Sequence, residues 1–94
     1  MRITVLQRHI DEAKRVLSLS MTCYDEHCPI SLAARELGVV RPQTSRKYVW
    51  SSGPLGWRLP DEAVAFVDAF DTFFDEEGPS PLPIAFEMTE CARG

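Results

Sequence analysis

Three side chains with metal-binding and nucleophilic chemistry lie close together in this sequence: Cys23, His27 and Cys28. Zinc prefers thiolate and imidazole ligands, so these residues are the candidates for a small zinc-binding module, with His9 as a fourth ligand from the first helix. The Cys-x4-Cys spacing lies at the upper end of the common range, and no second Cys/His pair follows downstream. We therefore predict no bound cofactor and keep zinc as the second alternative.

The same stretch also contains a candidate nucleophile and base, because Cys28 directly follows His27. Adjacent residues at the start of a helix point apart, however, and no third residue is suggested that would orient the base. The chain also lacks a glycine-rich phosphate-binding loop. The sequence therefore predicts no catalytic residue and a protein that is not an enzyme.

A short helix follows these residues and leads into a basic segment. Cys28-Pro29 favours a helix start, and Gly38 favours a left-handed cap at its end. The polar and basic residues behind the cap, which are the candidates for a nucleic-acid contact, are Arg41, Gln43, Ser45, Arg46 and Lys47.

One interpretation of this segment is a helix-turn-helix. Ala34 lies four residues before Gly38, as in many repressors, so a DNA-binding regulator using residues 30–48 is our first alternative. A recognition helix would need apolar residues about six and nine positions after the turn glycine, where the chain has Thr44 and Lys47. We therefore favour a core helix followed by a basic loop, and nucleic acid is not the favoured partner.

Charge is distributed unevenly along the chain, whose net charge is −4. Residues 1–58 carry a net +4, and residues 59–94 carry a net −8. Such polarity favours a charged partner, or the packing of the two halves on each other. The candidate partner-binding residues are the acidic face Asp61, Asp68, Asp71, Asp75 and Glu76, together with the aromatic hairpin residues Trp50 and Trp57.

Hydrophobic periodicity predicts an α+β fold. The expected elements are a strand at 2–6, helices at 7–18 and 29–37, a hairpin at 47–51 and 57–59, a helix from 61, and a strand at 84–88. The helix from 61 has the clearest apolar stripe: Ala63, Phe66, Val67, Phe70, Phe73 and Phe74. The order β-α(α)-β-β-α-β predicts a ferredoxin-like antiparallel sheet with helices on one face.

Length and composition indicate how many domains the chain has and in which environment it is expected to fold. A chain of 94 residues predicts a single domain, 1–94, in which residues 89–94 are expected to form a flexible tail. No segment approaches the about 18 apolar residues of a membrane span. Three cysteines, an odd number, argue against a disulfide framework. We therefore expect a cytoplasmic protein without a membrane partner.

Four segments, ITVLQRHIDEA, CPISLAARE, LPDEAVAFVDAFD and PLPIAFEM, occur in this order and cover roughly half of the chain. In series they resemble a family of small, largely uncharacterised accessory proteins of bacteriophages, especially those of actinobacteria. The family usually has a shorter connector before the Cys-Pro, so VLSLSMTCYDEH looks like an insertion in this chain. The resemblance implies a protein that acts in the host cytoplasm by binding a host or defence protein, of which an anti-CRISPR inhibitor is one example. It supplies no catalytic residues and leaves the partner and the oligomeric state open.

Overall fold

The structure, a computed structural model, describes residues 1–19, 24–76 and 78–92. The elements of this part are β1 (Arg2–Val5), α1 (Gln7–Leu19), α2 (Tyr24–His27), α3 (Pro29–Glu36), β2 (Gln43–Thr44), β3 (Tyr48–Trp50), β4 (Leu55–Arg58), α4 (Asp61–Glu76), β5 (Ile84–Glu87) and β6 (Thr89–Ala92). The predicted α+β class is confirmed, and α2, β2 and β6 are elements that the sequence pattern did not predict.

The strands form two antiparallel sheets, whereas we expected one ferredoxin-like sheet. β1 pairs with β5, and a four-stranded sheet has the order β2-β3-β4-β6. Met88 alone separates β5 from β6, so one extended segment pairs with β1 through its first half and with β4 through its second. The sheet is divided because β1 and β4 pair with this segment and not with each other.

Residues 89–92, which the sequence predicts to belong to a flexible tail, form β6. The register places Thr89 opposite Arg58 and Ala92 opposite Leu55. Because the β6 side chains are mostly exposed, no alternating apolar pattern marks this strand, and its backbone hydrogen bonds to β4 hold it in place. The tail prediction is therefore wrong for 89–92, and residues 93–94 lie outside the described part.

The start and end of α3 agree with the sequence prediction. Cys28 is the N-cap residue and Pro29 follows at the first helical position. Gly38 has a positive φ of 95°, and its N–H donates to the Arg35 carbonyl while the Val39 N–H donates to the Ala34 carbonyl. These two bonds are those of a Schellman cap, which reverses the chain direction after α3.

The acidic helix α4 contributes two phenylalanines to the core. Ala63, Phe66 and Phe70 are buried, and the other predicted stripe residues are partly buried. Lys14 of α1 places its ammonium 4.5 Å from the centre of the Phe73 ring and donates to the Phe73 carbonyl at 3.2 Å. A cation at the C-terminal end of a helix interacts favourably with the helix dipole, so this contact fixes α4 against α1.

The described residues share one hydrophobic core. Its members come from α1, α3 and α4 and from strands of both sheets, β1 with Ile3 and Val5, β3 with Val49, β4 with Trp57 and β5 with Phe86. Burying a large apolar side chain stabilises a fold by about 1.5–3 kcal/mol, so these residues account for most of the driving force for folding.

Candidate functional site

His9 is the buried titratable residue that sequence reasoning considered as an auxiliary zinc ligand. Its Nδ1 accepts a hydrogen bond from the Leu6 N–H at 2.9 Å. A backbone amide can only donate, so Nδ1 is unprotonated and Nε2 carries the proton of the neutral ring. Nε2 lies 3.0 Å from Oε1 of Glu36 and donates to it. Both ring nitrogens are thus occupied, and His9 orients the start of α1 instead of serving as a ligand or base.

Glu36 connects α3 to α1 through two partners. It accepts two hydrogen bonds from Arg8, at 2.5 and 2.8 Å, and one from His9. The Arg8 guanidinium, followed by His9, lowers the pKa of Glu36 to about 2. The pocket of about 540 Å³ beside this cluster is lined by Arg8, His9, Glu12, Leu32, Arg35 and Glu36. Its two arginines and two glutamates balance, so the pocket has no net charge that would select an ionic ligand.

The cysteines of the predicted zinc site do not form a metal centre within the described residues. Cys28 is buried, and burial raises the pKa of its thiol, whereas an activated nucleophile has a lowered thiol pKa. His27 lies in α2, and Cys23 lies outside the described residues. The described part contains no group of three His, Cys, Asp or Glu side chains that could hold a metal ion.

The predicted nucleic-acid loop is not followed by a recognition helix. Gln43 and Thr44 form β2, and Thr44 is buried with its hydroxyl 2.7 Å from that of Ser31 in α3. The helix-turn-helix geometry is therefore wrong, because the Schellman cap of α3 leads into a strand. Ser45 accepts a hydrogen bond from the Tyr48 N–H, so its hydroxyl stabilises the turn between β2 and β3.

Arg41, the first basic residue of this loop, also makes a contact within the fold. It has a positive φ of 48°, a conformation that costs a non-glycine residue roughly 1–2 kcal/mol. Its guanidinium pairs with Glu26 of α2 at 3.3 Å. Arg46 and Lys47 are exposed at the turn that follows.

The predicted acidic face of α4 lies on the outside of the molecule. Asp61, Asp68, Asp75 and Glu76 are exposed, and within the described part of the chain none of them has a side-chain hydrogen bond or ion pair. No basic residue of the described chain therefore forms an ion pair with any of these four carboxylates.

Asp71 differs from the other members of the acidic face. It is half-buried and accepts a hydrogen bond from the Tyr24 hydroxyl of α2. Burial raises the pKa of Asp71 and also that of Tyr24, since each loses hydration in the contact between α2 and α4. Asp71 therefore belongs to the helix contact, which the sequence did not reveal because Tyr24 lies between the predicted helices 7–18 and 29–37, where no helical pattern is present.

A groove of about 290 Å³ joins the acidic helix to the basic turn. Its lining residues are Tyr24, Asp25, Thr44, Ser45, Arg46, Val67, Asp68 and Asp71. Sequence reasoning treated the two charged surfaces as alternatives, whereas the fold places part of each on the same groove. Arg46 therefore lies on the same groove as Asp25, Asp68 and Asp71 and is not part of a continuous basic surface.

The two tryptophans of the hairpin lie on opposite faces of the four-stranded sheet. Trp57 is opposite Val49 in the register, and both are buried in the core. Trp50 is opposite Gly56 on the outer face and stacks on Tyr48, with ring centres 5.0 Å apart and planes inclined by 21°. Trp57 is therefore a core residue, and Tyr48 is the partner of Trp50 that sequence reasoning missed. The alternation of residues 48, 49 and 50 was the signal that could have identified it.

Comparison of the chain with protein-family models, with curated proteins and with solved structures finds no match. None of the helices in the described residues has the length and apolar character that crossing a bilayer requires.

Proposed function

We propose that the protein is a non-catalytic binding protein that recognises a basic surface of another macromolecule through the exposed carboxylates of α4. The observation that carries this proposal is the absence, within the described residues, of any ion pair to Asp61, Asp68, Asp75 or Glu76. Like charges that a protein leaves unpaired on one face repel each other, and a basic partner relieves this repulsion.

The attachment of α4 to the core supports a role for this face in recognition. Phe66 and Phe70 anchor the opposite side of the helix, and Lys14 binds its C-terminal carbonyls. The helix backbone that carries the carboxylates is consequently held in place, so binding has to order only their short side chains. Complementary charge also accelerates encounter with a partner and makes the association rate sensitive to salt.

The resemblance to bacteriophage accessory proteins supports a host or defence protein as the partner. In this proposal the protein acts in the cytoplasm of the host cell and blocks the partner by occupying its basic surface. Inhibition of a CRISPR effector, whose nucleic-acid channel is basic, is one form of this activity.

The experiment is affinity capture from host lysate with charge-neutralised variants. The test variant combines Asp68→Asn and Asp75→Asn, and it leaves Asp71 unchanged because Asp71 binds Tyr24. A control variant with the same net charge combines Asp11→Asn and Glu90→Gln, which are exposed residues outside α4.

We expect the wild type and the control variant to capture the same partner, and the α4 variant to lose it. Raising the salt concentration should weaken capture by the wild type. Equal capture by the α4 variant and the control variant would refute a role for the acidic face.

A further inference from the structure

The connection between α4 and β5 contains a segment in which every backbone position is restricted. Residues 78–83 have the sequence Gly-Pro-Ser-Pro-Leu-Pro, so each residue of this proline segment either is a proline or directly precedes one. A proline ring fixes its own φ at about −65°, and its Cδ atom disfavours helical backbone at the residue before it. The sequence therefore favours extended or polyproline II backbone at all six positions.

The burial of the proline segment repeats every three residues, which is the period of a polyproline II helix. Gly78 is half-buried, Pro81 is buried and Ile84 is half-buried, whereas residues 79–80 and 82–83 are exposed. A Cβ atom on Gly78 would lie 3.6 Å from Cγ2 of Thr72, so this side of the segment lies against α4. Within the described residues no backbone–backbone hydrogen bond involves residues 78–83, and a polyproline II helix forms none of its own.

Pro79 and Leu82 are three residues apart and therefore form an apolar ridge along one exposed side of the proline segment. Leu82 is 81% exposed, more than any other large hydrophobic side chain among the described residues. A single exposed leucine is ordinary on a protein surface, but this one lies between two prolines, and the backbone beside it is anchored by the buried Pro81. The ridge is thus ordered before binding, which reduces the entropic cost of an interface.

We propose that the proline segment binds a groove lined by aromatic side chains in a protein partner, with Pro79 and Leu82 packed against the rings. Aromatic grooves recognise polyproline II helices because such a ligand is preformed and its conformational entropy is already low. Addition of the segment to the edge of a partner's sheet is disfavoured, because three of its six residues have no N–H.

The charge beside the segment indicates a further property of the groove. Asp75 and Glu76 are exposed where α4 ends, shortly before the segment begins. Complementary charge fixes the orientation of a ligand, so we infer a basic residue at one end of the groove. The inference goes beyond the acidic-face proposal, since it rests on the conformation and exposure of residues 78–83.

The test measures binding of the full chain to a panel of purified, immobilised SH3 and WW domains, whose aromatic grooves take polyproline II ligands. The variants are Leu82→Ala, which shortens the exposed side chain, and Pro79→Ala, which also removes a restriction on the backbone. Leu19→Ala is the matched control, because Leu19 is 75% exposed at the end of α1. Thermal melting shows whether each variant is folded, and sedimentation gives its oligomeric state.

We expect at least one domain of the panel to bind the wild type and Leu19→Ala equally well. Leu82→Ala should raise the dissociation constant about tenfold, as removal of a central interface side chain does. Pro79→Ala should also weaken binding, and added salt should weaken binding of the wild type.

The proposal is overturned if no domain of the panel binds the wild type, or if folded Leu82→Ala binds as tightly as Leu19→Ala. It is also overturned if the wild type forms dimers that Leu82→Ala abolishes, since the occupant is then a second copy of the chain. None of these variants changes a carboxylate, so a negative result here does not bear on the capture experiment with the α4 variant.

Discussion

Replacing His9 by alanine is expected to cost about 2–3 kcal/mol of folding free energy, although the residue touches no proposed binding surface. Two losses add up to this figure. The Leu6 N–H loses the acceptor that caps α1, which costs about 1 kcal/mol. Removal of the imidazole, only 3% exposed, leaves a cavity whose cost is about 1–2 kcal/mol. The contact with Glu36 is lost as well.

The cap and the cavity can be separated by a second variant. In His9→Gln the side-chain carbonyl can still accept from the Leu6 N–H, as glutamine does in a capping box. We therefore expect His9→Gln to lose about half as much stability as His9→Ala. Urea unfolding followed by circular dichroism measures both, and the alanine variant should melt about 10–20 °C lower than the wild type.

Two results would refute this account of His9. A loss below about 0.5 kcal/mol in His9→Ala would show that neither the cap bond nor the burial stabilises α1. Equal losses in His9→Gln and His9→Ala would show that the hydrogen bond to Leu6 contributes nothing and that packing explains the whole effect.

Three further changes follow from the geometry. Gly38→Ala should lower the unfolding free energy by about 1 kcal/mol or more in urea titrations, because its positive φ of 95° disfavours any side chain. Gly56→Ala should expel the Trp50 ring and cost about 1–3 kcal/mol, with a red shift of tryptophan emission as the second readout. The lowered pKa of Glu36 means that its pairing with Arg8 stabilises the fold above about pH 4.5, and this contribution is lost as the pH falls towards 2. Urea midpoints across this range should therefore fall more steeply for the wild type than for Glu36→Gln, and parallel curves would contradict the assignment.

Much of the fold could be predicted because its signals are local. The Cys28-Pro29 start and the Gly38 end of α3 depend on backbone conformations that particular residue types favour. The aromatic stripe of α4 repeats with the helical period, so Phe66 and Phe70 were assigned to the core correctly. The two sheets could not be predicted, since the choice of β6 and not β1 as the neighbour of β4 is made by backbone pairing between distant segments.

The candidate surfaces could be predicted less well, because their residues depend on contacts across the fold. Asp71 has the same residue type as Asp68, yet it is bound to Tyr24, while Asp68 is exposed. Trp50 and Trp57 likewise look equivalent in the sequence, but the register places one on the outer face and one in the core. Asp71 differs from Asp68 because its partner Tyr24 lies far away in the chain. Trp50 and Trp57 differ because pairing with the neighbouring strand sets the face of the sheet on which each of them lies.

Local sequence signals were sufficient for the α+β class, the caps of α3, the buried stripe of α4 and the separation of positive and negative charge along the chain. Helical periodicity, cap chemistry and charge are properties of neighbouring residues, so they are present before the chain folds. Tertiary structure decided that His9 caps α1, that the basic turn shares a groove with Asp68, and that Tyr48 and Trp50 form one aromatic surface over Gly56. Each of these arrangements requires strand register or helix packing, which only the folded chain defines.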